Sequence, residues 1–421
     1  MSEPAAALPA PPARPRTFAA LAVPSFRVMW AGTWASYIPF FMSNVVNGVV
    51  AFQLAHVNRA VGTVVFAQGV AMAALAPLGG AGADRWPKRR VLVLTQLAAA
   101  VVFGSFALLL ALERLSIVAL AAGSFVLGVS VSFLGPARQA LAAELVGPDL
   151  RGNAVALNQV PLTGAQVLGP AIAGFMLASP WGATGAYALM SALYVAAALA
   201  LLPLPRSLGR VGAAETHVLA DLRDGLRYVA THRRLRLLVS FFVGVIMTGF
   251  SYIAVLPGLV EHAFERPAEA VPPLFFTSAL GGLAVTLATA RLADTQRALP
   301  VFVAMPFLFA AGLLAVSAAP SYLAGVAAMF VVGSGFGGFQ TLNAAVIVRA
   351  TEPHYLGRVF SLTMLAFAGV SLMSLPVSVL ADTVGERATL AALSAIVVAI
   401  ALAVVVALRR IDRAQPSSTD T

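Results

Sequence analysis

Charge in this 421-residue chain is confined to narrow intervals, and that confinement limits the fold more than any other feature. Between the intervals run apolar stretches of roughly 20 residues, the length that crosses a bilayer's hydrocarbon core. The densest interval, Gly79–Arg90 (GGAGADRWPKRR), holds five formal charges and has apolar sequence on both sides. A cluster so placed belongs at a membrane surface, because ionised side chains are expensive within the bilayer. Composition agrees: hydrophobic residues make up 60% of the chain and charged residues 10%. Soluble domains carry about 25% charge. The net charge of +10 does not point to nucleic acid, because the basic residues sit in gaps between apolar runs and not on one soluble face. Without cysteine there is no disulfide framework, thiol nucleophile or thiolate metal site. The five histidines show no metal-ligand spacing, and no cofactor site is expected.

The apolar runs predict an all-α integral membrane protein of twelve transmembrane helices in two six-helix halves. The expected spans are 27–52, 60–82, 91–112, 115–137, 153–178 and 183–203, then 237–258, 272–292, 299–318, 321–348, 357–381 and 387–408. Residues 1–25, rich in Ala and Pro, read as a disordered cytoplasmic tail, and residues 409–421 as a second cytoplasmic tail. The halves cover 26–203 and 237–408. In the connection between them, 204–236, Val218, Leu219, Leu222, Leu226 and Val229 fall at helical spacing, which predicts a helix lying at the membrane interface. Of 27 basic residues, 23 fall in the tails and even-numbered gaps; only Arg59, Arg114, Arg266 and Arg387 fall on the other side. Basic loops stay in the cytoplasm, so both termini are expected there, in a bacterial cytoplasmic membrane.

The wording Gly80-x-x-Ala83-Asp84-Arg85-x-x-Lys88-Arg89 resembles the loop between helices 2 and 3 of the major facilitator superfamily. Pro87-Lys88-Arg89 stands where members of that family usually carry Gly-Arg-Arg. Residues 221–229 (DLRDGLRYV) are similar to the central loop of its enterobactin-exporter-like branch, which also contains macrolide-efflux relatives. The halves repeat as well: Leu150-Arg151-Gly152 precedes Leu356-Gly357-Arg358 by 206 residues, and Asp84 has a faint partner at Asp294. The resemblance implies the major facilitator fold, with a substrate cavity between the halves near the midplane. It also implies a gating motif of Gly80, Asp84, Arg85, Lys88, Arg89, Asp294 and Arg358. Asp84 would there meet the start of the eleventh span, where a carboxylate favours the positive end of a helix dipole. Gly169-Pro170-x-x-Ala173-Gly174 partly resembles the fifth-helix signature of antiporter-type, exporting members. Gly333-x-Gly335-x-x-Gly338 matches a dinucleotide fingerprint by letters, but it lies inside an apolar span and reads as helix packing.

Polar residues within the spans group by face. Ser36, Phe40, Ser43 and Asn47 share one face of the first span, and Phe241, Thr248, Ser251 and Tyr252 one face of the seventh. Phe336, Gln340 and Asn343 do so on the tenth, while Gln159, Thr163 and Gln166 form a row on the fifth. Amides facing lipid are costly, so these residues should face protein or a wet cavity. As a set on the first, seventh and tenth spans, which line the cavity in the family the chain resembles, they imply a substrate site. No acid falls near a span centre, and Ser124 stands where proton-coupled relatives carry an arginine. Protons as coupling ion would therefore need a span-end carboxylate: Asp84 or Glu144 on one side, Glu113, Asp382 or Glu386 on the other. The expectation is a secondary active transporter, not an enzyme, that works by alternating access and exports amphipathic small molecules such as drugs or siderophore-like metabolites. Its partners are a small-molecule substrate and the lipid bilayer, with no nucleic acid. An uptake permease and a non-transporting sensor or assembly factor of the same fold are the alternatives.

Overall fold

A computed structural model describes residues 18–205, 218–292 and 295–413, and among them every regular element is helical. Lipid offers no partner to a backbone N–H or C=O, so apolar runs of this length satisfy their own backbone as helices. The first half consists of α1 (Pro24–Ala55), α2 (Asn58–Arg85), α3 (Lys88–Ala111), α4 (Ile117–Glu144), α5 (Arg151–Ala178) and α6 (Gly182–Leu201). A separate helix α7 (Val218–Thr231) leads to the second half. That half has α8 (Arg233–Gly249), α9 (Pro272–Ala290), α10 (Ala298–Ala318), α11 (Tyr322–Ala350), α12 (Leu356–Val384) and α13 (Glu386–Arg413). Eleven helical segments among the described residues are long and apolar enough to cross a membrane, and the 28-residue α2 completes the twelve. The repeat is visible in local chemistry. Ser116 caps α4 by accepting from the Ala119 N–H, and Ser321 caps α11 from the Ala324 N–H.

The seventh span is irregular. Beyond Gly249 it tightens into a 3-10 segment, Phe250–Val255, then passes through Leu256–Gly258 into a π turn, Leu259–Ala263. Pro257 cannot donate to the preceding turn, and broken stretches of this kind re-aim the side chains that follow them. Close approach shapes α9 and α11: a Cβ at Gly333 would lie 1.7 Å from the Ser278 carbonyl oxygen, so only glycine fits there.

Three expectations need correction. The fourth span does not end at 137; α4 runs on to Glu144, which brings Arg138 inside it. The helix-ending signal is Gly147-Pro148, beyond the arginine. Residues 19–22 of the expected tail form a 3-10 turn, held where Ala20 N–H donates to Asn153 Oδ1 at 2.9 Å. On α7 the packing face is Gly225, Tyr228 and Val229, while Leu226 is 53% exposed. Tyr228 stacks on Tyr355 at 4.0 Å, and Tyr228 and Val229 join Val359 and Leu362 of α12 in one apolar cluster. The connection is thus docked on the second half.

Candidate functional site

Among the described residues, the polar contacts at the two ends of the bundle differ. At the end that carries the loops rich in Lys and Arg, Lys88 Nζ lies 2.6 Å from Glu144 Oε1 and Arg89 donates to the backbone carbonyls of Leu202 and Leu204. These contacts tie the first half to itself. At the opposite end the polar contacts join the two halves. Asn58, opening α2, donates its backbone N–H to Asp382 Oδ1 at 2.7 Å, and the Arg59 N–H donates to Asp382 Oδ2 at 2.9 Å. Asp382 of the second half therefore caps a helix of the first, where a carboxylate meets orphan N–H groups and the positive end of the dipole. Asn58 Nδ2 also donates to Glu386 Oε1 at 2.8 Å, and the same oxygen lies 2.7 Å from His262 Nδ1. His56 Nδ1 lies 3.0 Å from Glu261 Oε1, and Gln53 Nε2 donates to Glu269.

This is a clasp in which donors of the first half meet carboxylates of the second, and His262 braces Glu386 from within the second half. Glu261 and His262 reach it from the π turn that ends the seventh span, and the Phe52 ring lies edge-on to both His56 and His262. Sequence reading treated the histidines as scattered and missed this assembly, since its members lie more than 200 residues apart. Below the clasp, α2 and α12 stay in close contact: a Cβ at Gly62 would meet Ser378 Oγ at 2.6 Å, and one at Gly69 would meet Ser371 Cβ at 2.3 Å. Charge-assisted hydrogen bonds hold such a closure, yet each breaks without covalent change.

A second polar cluster lies inside the first half. Ser36 Oγ receives Gln96 Nε2 at 2.8 Å and Arg138 Nη2 at 2.9 Å, and donates to the Gly32 carbonyl. Phe40, Ser43 and Gln96, with Tyr194, line a cavity of about 10 Å³ within that half, room for about one water. Ser36 and Ser43 thus turn toward α3 and α4. Helical spacing groups residues on a face without saying which neighbour the face meets.

Phe241 is buried in an aromatic cluster with Phe302 and Phe339 in the core of the second half. Tyr252 is buried against Phe250 and Phe309, and Ser251 donates to the Met247 and Val370 carbonyls. Asn47 and Asn343 are buried, each with an Oδ1 that has no partner. Phe40, Gln166, Thr248, Phe336 and Gln340 are half-buried, and Gln159 is exposed. Phe336 stacks on Phe250 at 4.2 Å. Of the expected gating residues, Arg358 lies over the Tyr355 ring at 5.5 Å. The side chains of Gly80, Asp84 and Arg85, and the whole of Asp294, lie outside the described residues.

A bundle of two six-helix halves, clasped across one end by breakable polar contacts, defines a membrane transporter. Residues 29–373 match the model of the Major Facilitator Superfamily, and the chain belongs to that family. It is 24% identical over 365 residues to the "Staphyloferrin A transporter" of Staphylococcus aureus (strain NCTC 8325 / PS 47), covering 85% of this chain and 88% of that one. It is 25% identical over 342 residues to the "Enterobactin exporter EntS" of Shigella flexneri, covering 80% of each. Among solved structures, the nucleoside transporter NupG superposes with a TM-score of 0.70 at 13% identity over 91% of this chain and 99% of that one. A bacterial homologue of the human lysosomal transporter Spinster, inward-facing and unoccupied, does so with a TM-score of 0.71 at 13% identity over 94% and 98%. These likenesses carry the fold.

Proposed function

We propose that the protein exports amphipathic small molecules, drugs or siderophore-like metabolites, across a bacterial cytoplasmic membrane by alternating access. The clasp is the observation that carries this reading. It closes one end of the bundle with bonds that run between the halves, so opening that end means separating the halves. The 23-to-4 division of basic residues supports placing the opposite, Lys/Arg-rich end and both termini in the cytoplasm. The clasped end then faces outward, and this state receives cargo from the cytoplasm. Half-buried Gln166, Thr248, Phe336 and Gln340 offer aromatic faces and hydrogen bonds suited to amphipathic cargo. The relatives named for siderophore transport and export favour that substrate class. Asp84, meeting the start of α12, serves as the gate at the cytoplasmic end. Coupling runs through a proton exchanged at a span-end carboxylate, or through charge carried by the substrate itself.

The test is flux of panels of dyes, antibiotics and catechol or citrate conjugates, comparing a deletion strain with an overexpressing strain and everted with right-side-out vesicles. Export predicts accumulation in everted vesicles. Accumulation only in right-side-out vesicles would make the protein an uptake permease, and no flux in either would favour a sensor or assembly factor. Reporter fusions at Gly209 and Thr421 should both read cytoplasm, and an outward signal at either would overturn the orientation.

A further inference from the structure

Arg138 lies on α4 within the first half and is 2% exposed. Six residues separate it from the end of α4, so a long side chain there has the option of turning its charge back to the surface. It does the reverse. Nη2 donates to Ser36 Oγ at 2.9 Å and Nη1 to the Thr33 carbonyl at 3.4 Å, both well along α1 from its start at Pro24. At 1.5 Å per residue those partners lie about 13–18 Å along α1. The Cζ atom sits 5.1 Å from the centre of the Tyr37 ring.

Two hydrogen bonds to neutral oxygens and a ring face do not neutralise this group. A guanidinium offers five N–H donors and stays charged at physiological pH. Among the described residues no carboxylate comes within ion-pair distance of it. A buried cation without a counter-charge carries a desolvation penalty that a paired one recovers in part. Beside it Gln96, which shares Ser36 with Arg138, keeps a buried Oε1 with no partner. Tyr37 is half-buried and is the most exposed member of the cluster.

We infer that Arg138 binds an anionic group of the transported molecule, a carboxylate, which reaches it past Tyr37. The planar fork of the guanidinium accepts a carboxylate in two parallel bonds. This rests on the transport reading above and sharpens its substrate class from amphipathic to amphipathic and anionic.

The test is calorimetric titration of the purified full-length protein with 1-naphthylacetate and its neutral isostere 1-naphthylacetamide. The acid should bind more tightly than the amide to the native protein. Arg138→Gln should weaken the acid by about tenfold or more, the worth of a charged hydrogen-bonded pair, and leave the amide unchanged. Arg138→Lys, which keeps the charge and loses the fork, should fall between, and it carries the test if the Gln variant does not fold. Equal binding of acid and amide to the native protein, or acid binding that survives both substitutions, would overturn the Arg138 site and leave the amphipathic cavity standing. If neither probe binds, both readings fall. If sodium chloride or sulfate displaces the acid at matched ionic strength and itself binds Arg138, the site holds a resident inorganic anion and the substrate assignment is overturned.

Discussion

The two halves share a fold and differ in what they bury. The second half fills its core with aromatic rings: Phe339 lies 4.7 Å from Phe302, 5.3 Å from Phe241 and 5.4 Å from Phe242 between ring centres. The first half buries aromatic residues too, yet near its Lys/Arg-rich end it also encloses Arg138, Gln96 and Ser36. Shifted by the 205 residues that separate the matching caps Ser116 and Ser321, Arg138 corresponds to Asn343, which is buried and uncharged. The fold therefore does not require a buried cation at this place, since its twin does without one. A charge retained against its desolvation cost in one half alone points to work beyond packing.

The largest effect should come from the aromatic core. Phe339→Ala should lower stability by about 3–5 kcal/mol through lost contacts and a cavity, seen as early thermal unfolding of the purified protein. A small loss would mean that the stack is dispensable and the contrast between halves overstated. Arg138→Met replaces a charge with an apolar chain of similar size, and it should leave stability unchanged or raise it by about 1–4 kcal/mol while abolishing anion binding. Marked destabilisation would make Arg138 a structural element like its aromatic counterparts. Glu386→Gln keeps the shape of the clasp and removes one charge shared by Asn58 and His262. The closed end should weaken by about 1–3 kcal/mol. The chain has no cysteine, so a thiol placed at buried Ser378 would be its only one, and an impermeant reagent should label it faster from outside in the Glu386→Gln background. Unchanged labelling would show that packing of α2 on α12 closes that end alone. Leu226→Gln, on the exposed side of α7, should change thermal stability by no more than about 0.5 kcal/mol. A larger loss would place that face against the bilayer.

The spans were legible because each is long, apolar and bounded by charge or Gly/Pro signals, and the docking of Gly333 against α9 follows from residue size. What escaped was direction and distance. The fourth span was expected to end at 137, although helix-forming sequence continues through Arg138 to Glu144. Ser36, Ser43 and Phe241 were grouped correctly by period, but a period does not name the neighbour. Asp382 and Glu386 stood out as span-end carboxylates; that they meet Asn58 could not be read, because nothing local in either segment encodes a contact more than 320 residues away. Docking of α7 turned on Tyr228 meeting Tyr355, another pairing of distant segments.

The clasp also has a consequence for the order in which the chain is made. Gln53, His56 and Asn58 are synthesised early, with the first two helices, while the acceptors arrive between Glu261 and Glu386. Until α12 and α13 are inserted, Asn58 and the amino end of α2 lack their protein partners in Asp382 and Glu386. A nascent or truncated molecule would thus present an unfinished rim at the clasped end, which only completion of the final hairpin can close, so the bonds that shut that end form only once synthesis has passed Glu386.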